Sequence, residues 1–412
     1  MIDVLVVGGG LSGLFAACLT SRQNMITTLV MRGRGGLTLS HGAVELFSRS
    51  SPSRSIAKLD PPHPFALAGI TNLSEGIKAF LEITGDEGLP FEGGRSTNRH
   101  ILTATGDARH VAYVPSGYLA GDPKILNEPI SLGAFSSLRD FQPHYLHTNP
   151  ASAANHVEKV VELPLLHPFS HRDLYPQDAA RMFDDLEWTV ENARAWKPHL
   201  VGAKRLGLPA VLGIENHLEA LTILENTLSI PVFEIPTLPP SVPGLRLELA
   251  LRRHAERNGT RIIEGPTATG RAQRQRDGVR VAGALLDGAG RRFVIDSRST
   301  ILATGSFLHG GLHATQDQRV LEPVFNLPVR VETTRTDWTE SSIYDPQPYA
   351  RMGLSVNESM QPLDVHGDPM FENLYAIGGI IGGADRTFEG SRQGVDIATA
   401  FCAVNHLQRS LS

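Results

Sequence analysis

Residues 8 to 13 read Gly8-Gly9-Gly10-Leu11-Ser12-Gly13, which places Gly8, Gly10 and Gly13 at the spacing GxGxxG. Residues of this type in this order bind a phosphate. The first glycine permits a tight turn, the second lets backbone approach the ligand, and the third lets a following helix pack closely on its strand. Free N–H groups and the dipole at the helix start then hold the anion, so Gly8, Gly10, Leu11, Ser12 and Gly13 are candidate cofactor-binding residues. Two more glycine-ended runs recur downstream: Thr300-Ile301-Leu302-Ala303-Thr304-Gly305, and Asn373-Leu374-Tyr375-Ala376-Ile377-Gly378-Gly379 followed by Gly382-Gly383.

A GxGxxG run marks a nucleotide site only where a strand leads into a helix. Asp3 to Val7 is a short apolar run rich in β-branched residues, a buried strand by composition. Leu11, Leu14, Phe15, Cys18 and Leu19 recur at helical spacing before Arg22, and Ile26 to Met31 reads as the next strand. From about Ser50 to Ser241 the pattern blurs into short strands around Ile101 to Val114, a helix over Gln177 to Arg194 and strand-like residues from Val201 to Ile214. The proline-rich run Pro236 to Gly244 predicts a rigid, extended boundary. Beyond it, Leu247, Ala250, Leu251 and His254 mark a helix ending at Asn258-Gly259. Strands follow at Arg261–Ile263, Val279–Leu286 and Arg292–Asp296, the last two joined by Asp287-Gly288-Ala289-Gly290. Thr300–Leu302, Leu374–Ile377 and a helix over about Ser391 to Leu407 complete the chain. The expected fold class is α/β, a Rossmann-like FAD/NAD(P)-binding fold with an inserted α+β cap. The expected boundaries are residues 1–60 and 241–412 for a discontinuous nucleotide-binding domain and 61–240 for the cap.

The 412 residues carry 38 basic and 43 acidic groups, a formal charge of -5, with 41% hydrophobic and 20% charged residues. That is globular composition, and without a net basic balance nucleic acid is excluded as a partner. Having only Cys18 and Cys402 excludes a disulfide scaffold, a CxxC zinc site and a cysteine-ligated iron–sulfur cluster, and both read as small buried hydrophobes in a reducing compartment. Val4 to Ser21 is uncharged, but its three consecutive glycines and the lack of a basic leader make it neither a signal peptide nor a spanning helix.

One residue of a dinucleotide site is missing. An acidic side chain about 20 positions beyond the glycines normally bonds the adenosine ribose, and Met31-Arg32-Gly33-Arg34 stands there instead. A mononucleotide that ends at its phosphate needs no such carboxylate. An arginine in that place would suit the 2′-phosphate of NADP, the rival reading.

Together, the three glycine-ended strands resemble the flavoprotein family of succinate dehydrogenase/fumarate reductase type. That resemblance implies that the Ala303-Thr304-Gly305 strand returns beside the first glycine loop and that the last helix points its N-terminus at a flavin, which makes Gly378, Gly379, Arg392, Gln393 and Gly394 cofactor-binding. The family usually carries Glu or Asp where Gly379 stands. A closer resemblance rests on Leu238-Pro239-Pro240-Ser241-Val242-Pro243-Gly244-Leu245-Arg246-Leu247, on Ala303-Thr304-Gly305-Ser306-Phe307-Leu308-His309-Gly310-Gly311-Leu312 and on Asn373 to Gly383, with a looser match at Arg139-Asp140-Phe141-Gln142. These segments are similar to the family of B subunits of anaerobic glycerol-3-phosphate dehydrogenase. The resemblance implies FMN as cofactor, with FAD the alternative. It also implies an FAD-containing A subunit and an iron–sulfur, membrane-anchoring C subunit as partners. The protein would then be cytoplasmic and peripheral on the inner face of the cell membrane, and would oxidise sn-glycerol 3-phosphate to dihydroxyacetone phosphate with electrons passed to quinone.

Such a reaction needs a hydride acceptor, a base for the hydroxyl proton and cations for the phosphate. His41, within Thr38-Leu39-Ser40-His41-Gly42, occupies the segment that touches the flavin in similar reductases, with Ser40 and Gly42 beside it and Arg32 at the end of the second strand. His309 follows the Ala-Thr-Gly strand and Arg386 precedes the last helix. His41, His309 and Arg386 are the catalytic candidates, against His309 as a backbone-bonded loop residue and Arg386 as a solvated charge. His254, on the apolar side of its helix, reads as structural. The pairs His144/His147 and His167/His171 lack an HExxH or cysteine partner, so no metal site is expected. Two other functions stand beside the leading one: a stand-alone reductase of the fumarate-reductase type, and a non-catalytic assembly subunit that has lost its cofactor.

Overall fold

The computed structural model describes residues 1–49, 51–124, 128–148, 157–166, 173–275, 278–331 and 334–411. The chain divides into two compact units, residues 1–36, 45–83 and 250–412 in the first and residues 37–44 and 84–249 in the second.

The first unit is built on a seven-stranded sheet in the order Arg261–Glu264, Thr27–Met31, Ile2–Val7, Arg291–Leu302, Gly278–Gly288, Thr267–Gln275, with Leu374–Ala376 also paired to Arg291–Leu302. Five strands run parallel: Val7 pairs with Val30 on one side and Leu302 on the other, Met31 with Glu264, and Leu302 with Ala376. Val4 to Val7 and Thr27 to Met31 are buried, which is why both strands read as nearly unbroken apolar runs rather than as alternation. The helix Leu11–Arg22 between them is buried from Leu11 to Ser21 and packs on the last helix, Arg392–Leu411.

The strand Arg291–Leu302 changes partners along its length. Its first half runs antiparallel to Gly278–Gly288, with Asp296 opposite Gly283; its second half runs parallel to Ile2–Val7. The sequence suggested two separate strands because Ser297, Arg298 and Ser299 interrupt the apolar pattern. Those two serines are buried, and Ser297 meets the Thr300 hydroxyl at 3.1 Å, so the polar groups are satisfied inside one continuous strand. Asn373 fixes the junction: its amide donates to the carbonyls of Val281 (2.8 Å) and Arg298 (2.7 Å) and accepts from Val281 N–H.

In the second unit a four-stranded parallel sheet runs Val232–Ile235, Leu206–Pro209, Ile130–Ala134, Val157–Glu162, and short antiparallel pairs stand apart from it. Its core centres on Phe135, Phe183 and Trp196, with ring centroids 5.5 to 6.5 Å apart. Three expectations are corrected here. The helix over 177–194 is two helices, Pro176–Phe183 and Leu186–Trp196. Asp184 ends the first by accepting the N–H groups of Ile214, Glu215 and Asn216, and Asp185 caps the second through Glu187 N–H and Trp188 N–H. Within 201–214 only Leu206–Pro209 is strand. The boundary at 236–244 is extended only to Ser241, because Val242 already opens the helix Val242–Arg257 and Pro243 in its first turn has no N–H to lose.

A buried ion pair anchors this unit. Arg246 donates to both oxygens of Glu234 (2.6 and 2.9 Å) and to Gly213 O, while Leu212 N–H also reaches Glu234. Burial, then the Arg246 charge, lowers the pKa of adjacent His217 to about 4, so that ring is neutral at pH 7.

Among the described residues no helix is long and apolar enough to cross a membrane. Cys18 and Cys402 are buried thiols, not joined in a disulfide, and burial pushes the Cys402 thiol up to about 11.

Candidate functional site

The glycine loop leaves the first strand at Gly8, whose φ of +120° only glycine adopts readily. A Cβ on Gly8 would overlap the carbonyl of Ala303, and one on Gly13 would overlap Gly8 O, so helix, loop and the Ala303-Thr304-Gly305 strand end lie in direct backbone contact. Gly10 differs from both. It caps the helix with extended backbone (φ -79°, ψ -173°), and nothing lies within 4 Å of where its Cβ would stand. The N–H groups of Leu11, Ser12 and Gly13 have no hydrogen-bond partner among the described residues, whereas Leu14 N–H bonds Gly10 O. Open space over Gly10 with three unsatisfied donors beside it is what a phosphate requires.

Around this opening the backbone is cut back at further glycines. Gly35 packs on Gly9 O and Gly10, and the imidazole of His309 lies against Gly36 and Gly305 at positions a side chain would occupy. The Thr304 hydroxyl is buried without a partner among the described residues. Partial burial, and then the charge of Arg386, lowers the His309 pKa below its usual 6.5, which favours the neutral ring at pH 7. Met31, 1% exposed, packs its side chain over Gly9. Arg32 beyond it is exposed.

The bend Gly378-Gly379 lies against Ser12 of the first helix. Gly378 N–H bonds the Thr399 hydroxyl at 2.9 Å. The Arg386 guanidinium occupies the room a side chain on Gly379 would take and pairs with Asp396 Oδ1 at 3.3 Å. Arg386 is thus a partly buried partner of a carboxylate, with 17% of its side chain exposed, rather than a solvated charge. No motif in the sequence singles out Asp396. The only hint in the sequence is a lone carboxylate within the apolar run Val395-Asp396-Ile397-Ala398. Burial lifts its pKa to about 6 against the opposing pull of Arg386 and Arg392.

At the start of the last helix, Gln393 accepts Glu45 N–H (3.3 Å), Gly394 N–H donates to Glu45 O (2.9 Å), and Arg392 pairs with the buried Glu45 carboxylate at 3.2 Å. A side chain on Gly394 would press on Leu46 and Phe65. These three residues therefore tie the helix to residues 45–46. Gly8, Gly10, Leu11, Ser12, Gly13, Ala303, Thr304, Gly305, His309, Gly378, Gly379 and Arg386 all belong to the first unit and form the arrangement just described.

Ser40, His41 and Gly42 belong to the second unit. There the Ser40 hydroxyl accepts Gly42 N–H (3.0 Å), His41 Nδ1 accepts Ala43 N–H (3.1 Å), and the Tyr118 hydroxyl donates to His41 O (2.7 Å). His254 is buried. His167 and His171 lie outside the described residues, and among the described residues no group of three His, Cys, Asp or Glu side chains is placed to hold a metal.

Residues 3–395 match the family model described as an FAD binding domain. The chain is 28% identical to the B subunit of anaerobic glycerol-3-phosphate dehydrogenase from Yersinia pseudotuberculosis serotype I, over 97% of this chain and 96% of that one. It is 30% identical to the protein of the same name from Pectobacterium atrosepticum, over the same shares. Among solved structures it matches 3-ketosteroid delta1-dehydrogenase from Sterolibacterium denitrificans at 10% identity and a TM-score of 0.49, covering 99% of each chain.

Proposed function

We propose, because this chain belongs to the FAD-binding-domain family of flavin oxidoreductases and to that of the anaerobic glycerol-3-phosphate dehydrogenase B subunits, that it is the B-type subunit of a quinone-linked glycerol-3-phosphate dehydrogenase. The single observation that carries the reading is the opening over Gly10, beside the N–H groups of Leu11, Ser12 and Gly13, which have no partner among the described residues. The residues present fit a phosphate-bearing flavin: the N–H groups of Leu11, Ser12 and Gly13 would hold its phosphate in the open space over Gly10.

A bound flavin supplies the acceptor for the hydrogen and electron pair leaving the alcohol carbon. The chain's own part is to take the hydroxyl proton and place the substrate. His309, neutral at pH 7 and set between Gly36 and Gly305, receives that proton. His41 is the second candidate for the same role. The N–H groups of Arg386 not given to Asp396 attract the substrate phosphate.

The cofactor proposed is FAD, following the family model. A second reading, FMN, is favoured by Met31, whose buried thioether stands where an adenosine ribose would want a carboxylate. The partners proposed are an FAD-containing A subunit and an iron–sulfur C subunit that brings the assembly to the inner face of the cell membrane. The test is the absorption spectrum of the purified chain, followed by chromatography of the released cofactor and by turnover of sn-glycerol 3-phosphate with and without the partner subunits. Yellow protein active only in the assembly supports the proposal. Turnover of a fumarate-type substrate by the lone chain would replace it with a stand-alone reductase, and a colourless chain that still binds its partners would make it an assembly subunit.

A further inference from the structure

Arg386 stands on a helix that has little of its own to hold it. Arg386–Glu389 is a single turn, too short to be stable through its own hydrogen bonds, and none of its four residues is buried, so apolar packing does not anchor it. Polar ties at its two ends do. In front, Asp385 accepts Phe388 N–H (3.0 Å) and Gln347 N–H (3.2 Å). Behind, the Glu389 carbonyl accepts Ser48 N–H (2.8 Å), and its carboxylate meets the imidazole of His63 at 3.0 Å, with the Ser391 hydroxyl on the same oxygen at 3.3 Å. The His63–Glu389 pair is withdrawn from water, with 7% and 14% of the two side chains exposed, and both residues belong to the first unit.

The two nitrogens of His63 do different jobs. The residue precedes the helix Pro64–Asp86, and its Nδ1 accepts Phe65 N–H at 3.1 Å, satisfying one of the donors that a helix start leaves open. A ring nitrogen that accepts carries no proton, so the neutral ring holds its proton on Nε2 and donates it to Glu389. The first bond serves the fold. The second joins residues 326 positions apart and ends on the turn that carries Arg386, whose guanidinium lies against Gly379 and pairs with Asp396. We propose that His63 is a positioning residue: through Glu389 it fixes the one-turn helix so that the Arg386 guanidinium is held where it meets the substrate phosphate. This deepens the proposed function and rests on the role given there to Arg386.

Two conservative substitutions separate the two jobs. Asparagine places its amide where Nδ1 stands and accepts Phe65 N–H but is too short for Glu389; glutamine reaches Glu389 with an N–H and leaves Phe65 N–H without that acceptor. The test is initial-rate kinetics of sn-glycerol 3-phosphate oxidation by the chain assembled with its partner subunits, each variant first checked for folding by circular dichroism. A displaced guanidinium weakens substrate and transition state alike, so KM moves rather than kcat. His63→Asn is expected to raise KM about three- to ten-fold with kcat within about two-fold of wild type, and Glu389→Ala, which cuts the tie from its other end and spares the bond to Phe65, by the same factor. His63→Gln is expected to keep KM within about two-fold of wild type. Arg386→Gln should raise KM about ten- to a hundred-fold, and adding His63→Asn to it should raise KM no further. A KM raised as far by His63→Gln as by His63→Asn, or effects of His63→Asn and Arg386→Gln that multiply, overturns the inference. If Arg386→Gln raises KM while His63→Asn and Glu389→Ala leave it unchanged, the positioning role alone is wrong; if Arg386→Gln itself leaves KM unchanged, the substrate role of Arg386 falls and this inference with it.

Discussion

Gly10 and Gly13 are three residues apart in one motif, yet substituting them should have opposite consequences for fold and for cofactor. Gly10 has ordinary extended dihedrals, and the first carbon of a side chain there would meet no atom within 4 Å apart from those of its chain neighbours. Its cost to the cofactor-free fold is limited to exchanging a tolerated helix cap for a poor one, about 1 kcal/mol or less. The isopropyl group would nonetheless fill the approach to the N–H groups of Leu11, Ser12 and Gly13, and flavin affinity should fall by a hundred-fold or more, about 3 kcal/mol. In Gly13→Ala the new methyl overlaps Gly8 O, a backbone atom held by the sheet, and also crowds Ala303. The helix-propensity gain of roughly 0.5–1 kcal/mol is outweighed by an overpacking cost of about 1–3 kcal/mol or more. The fold itself should weaken. Urea unfolding of the cofactor-free chains, paired with fluorescence titration of FAD, separates the two effects. A Gly10→Val chain that binds flavin within about three-fold of wild type would refute the placement of the phosphate, however the stability results came out.

Three further outcomes are expected. His309→Ala should retain flavin and lose about 10²- to 10⁴-fold in turnover, and the acid limb of the wild-type kcat/KM profile should lie below pH 6.5, since burial and Arg386 hold the ring neutral; a variant with an unchanged profile removes His309 from the chemistry. Because Asp396 has a folded-state pKa of about 6 against an ordinary 3.8, its burial costs the cofactor-free fold most above pH 6, and that cost disappears as pH falls through 6 towards 4. Asp396→Asn should therefore stabilise cofactor-free protein at pH 7.5 by about 1–3 kcal/mol while having little effect near pH 4, read from thermal or urea unfolding at both values; equal shifts at both would contradict the assignment. Glu234→Gln leaves the buried Arg246 charge without its counter-ion, and the second unit should lose about 3–5 kcal/mol in urea unfolding; a loss under 1 kcal/mol would mean that the pair is solvated in solution.

What the sequence determined by itself is the part of the molecule whose contacts are local. Val4 to Val7, the glycine loop and the helix from Leu11 follow one another directly, so periodicity and glycine spacing reveal the βαβ unit and the open helix start at which the phosphate is proposed to sit. In the sequence the partner-switching strand at 291–302 looks like two, because Ser297 and Ser299 resemble loop residues until Thr300 and Asn373 are in place to satisfy the junction. Asp184 and Asp185 likewise disappear into a helical pattern until the loop at 214–216 arrives to take one of them. The tertiary structure alone decided the environment of Asp396 and Arg386. Their pairing brings the last helix and the short helix Arg386–Glu389 together with Gly379, and it sets Asp396 opposite Ser12, more than 380 positions away in the chain. The physical reason is that backbone turns and amphipathic periods are short-range properties written in neighbouring residues, whereas the desolvation that raises one carboxylate and the guanidinium that answers it depend on which distant side chains share a small volume.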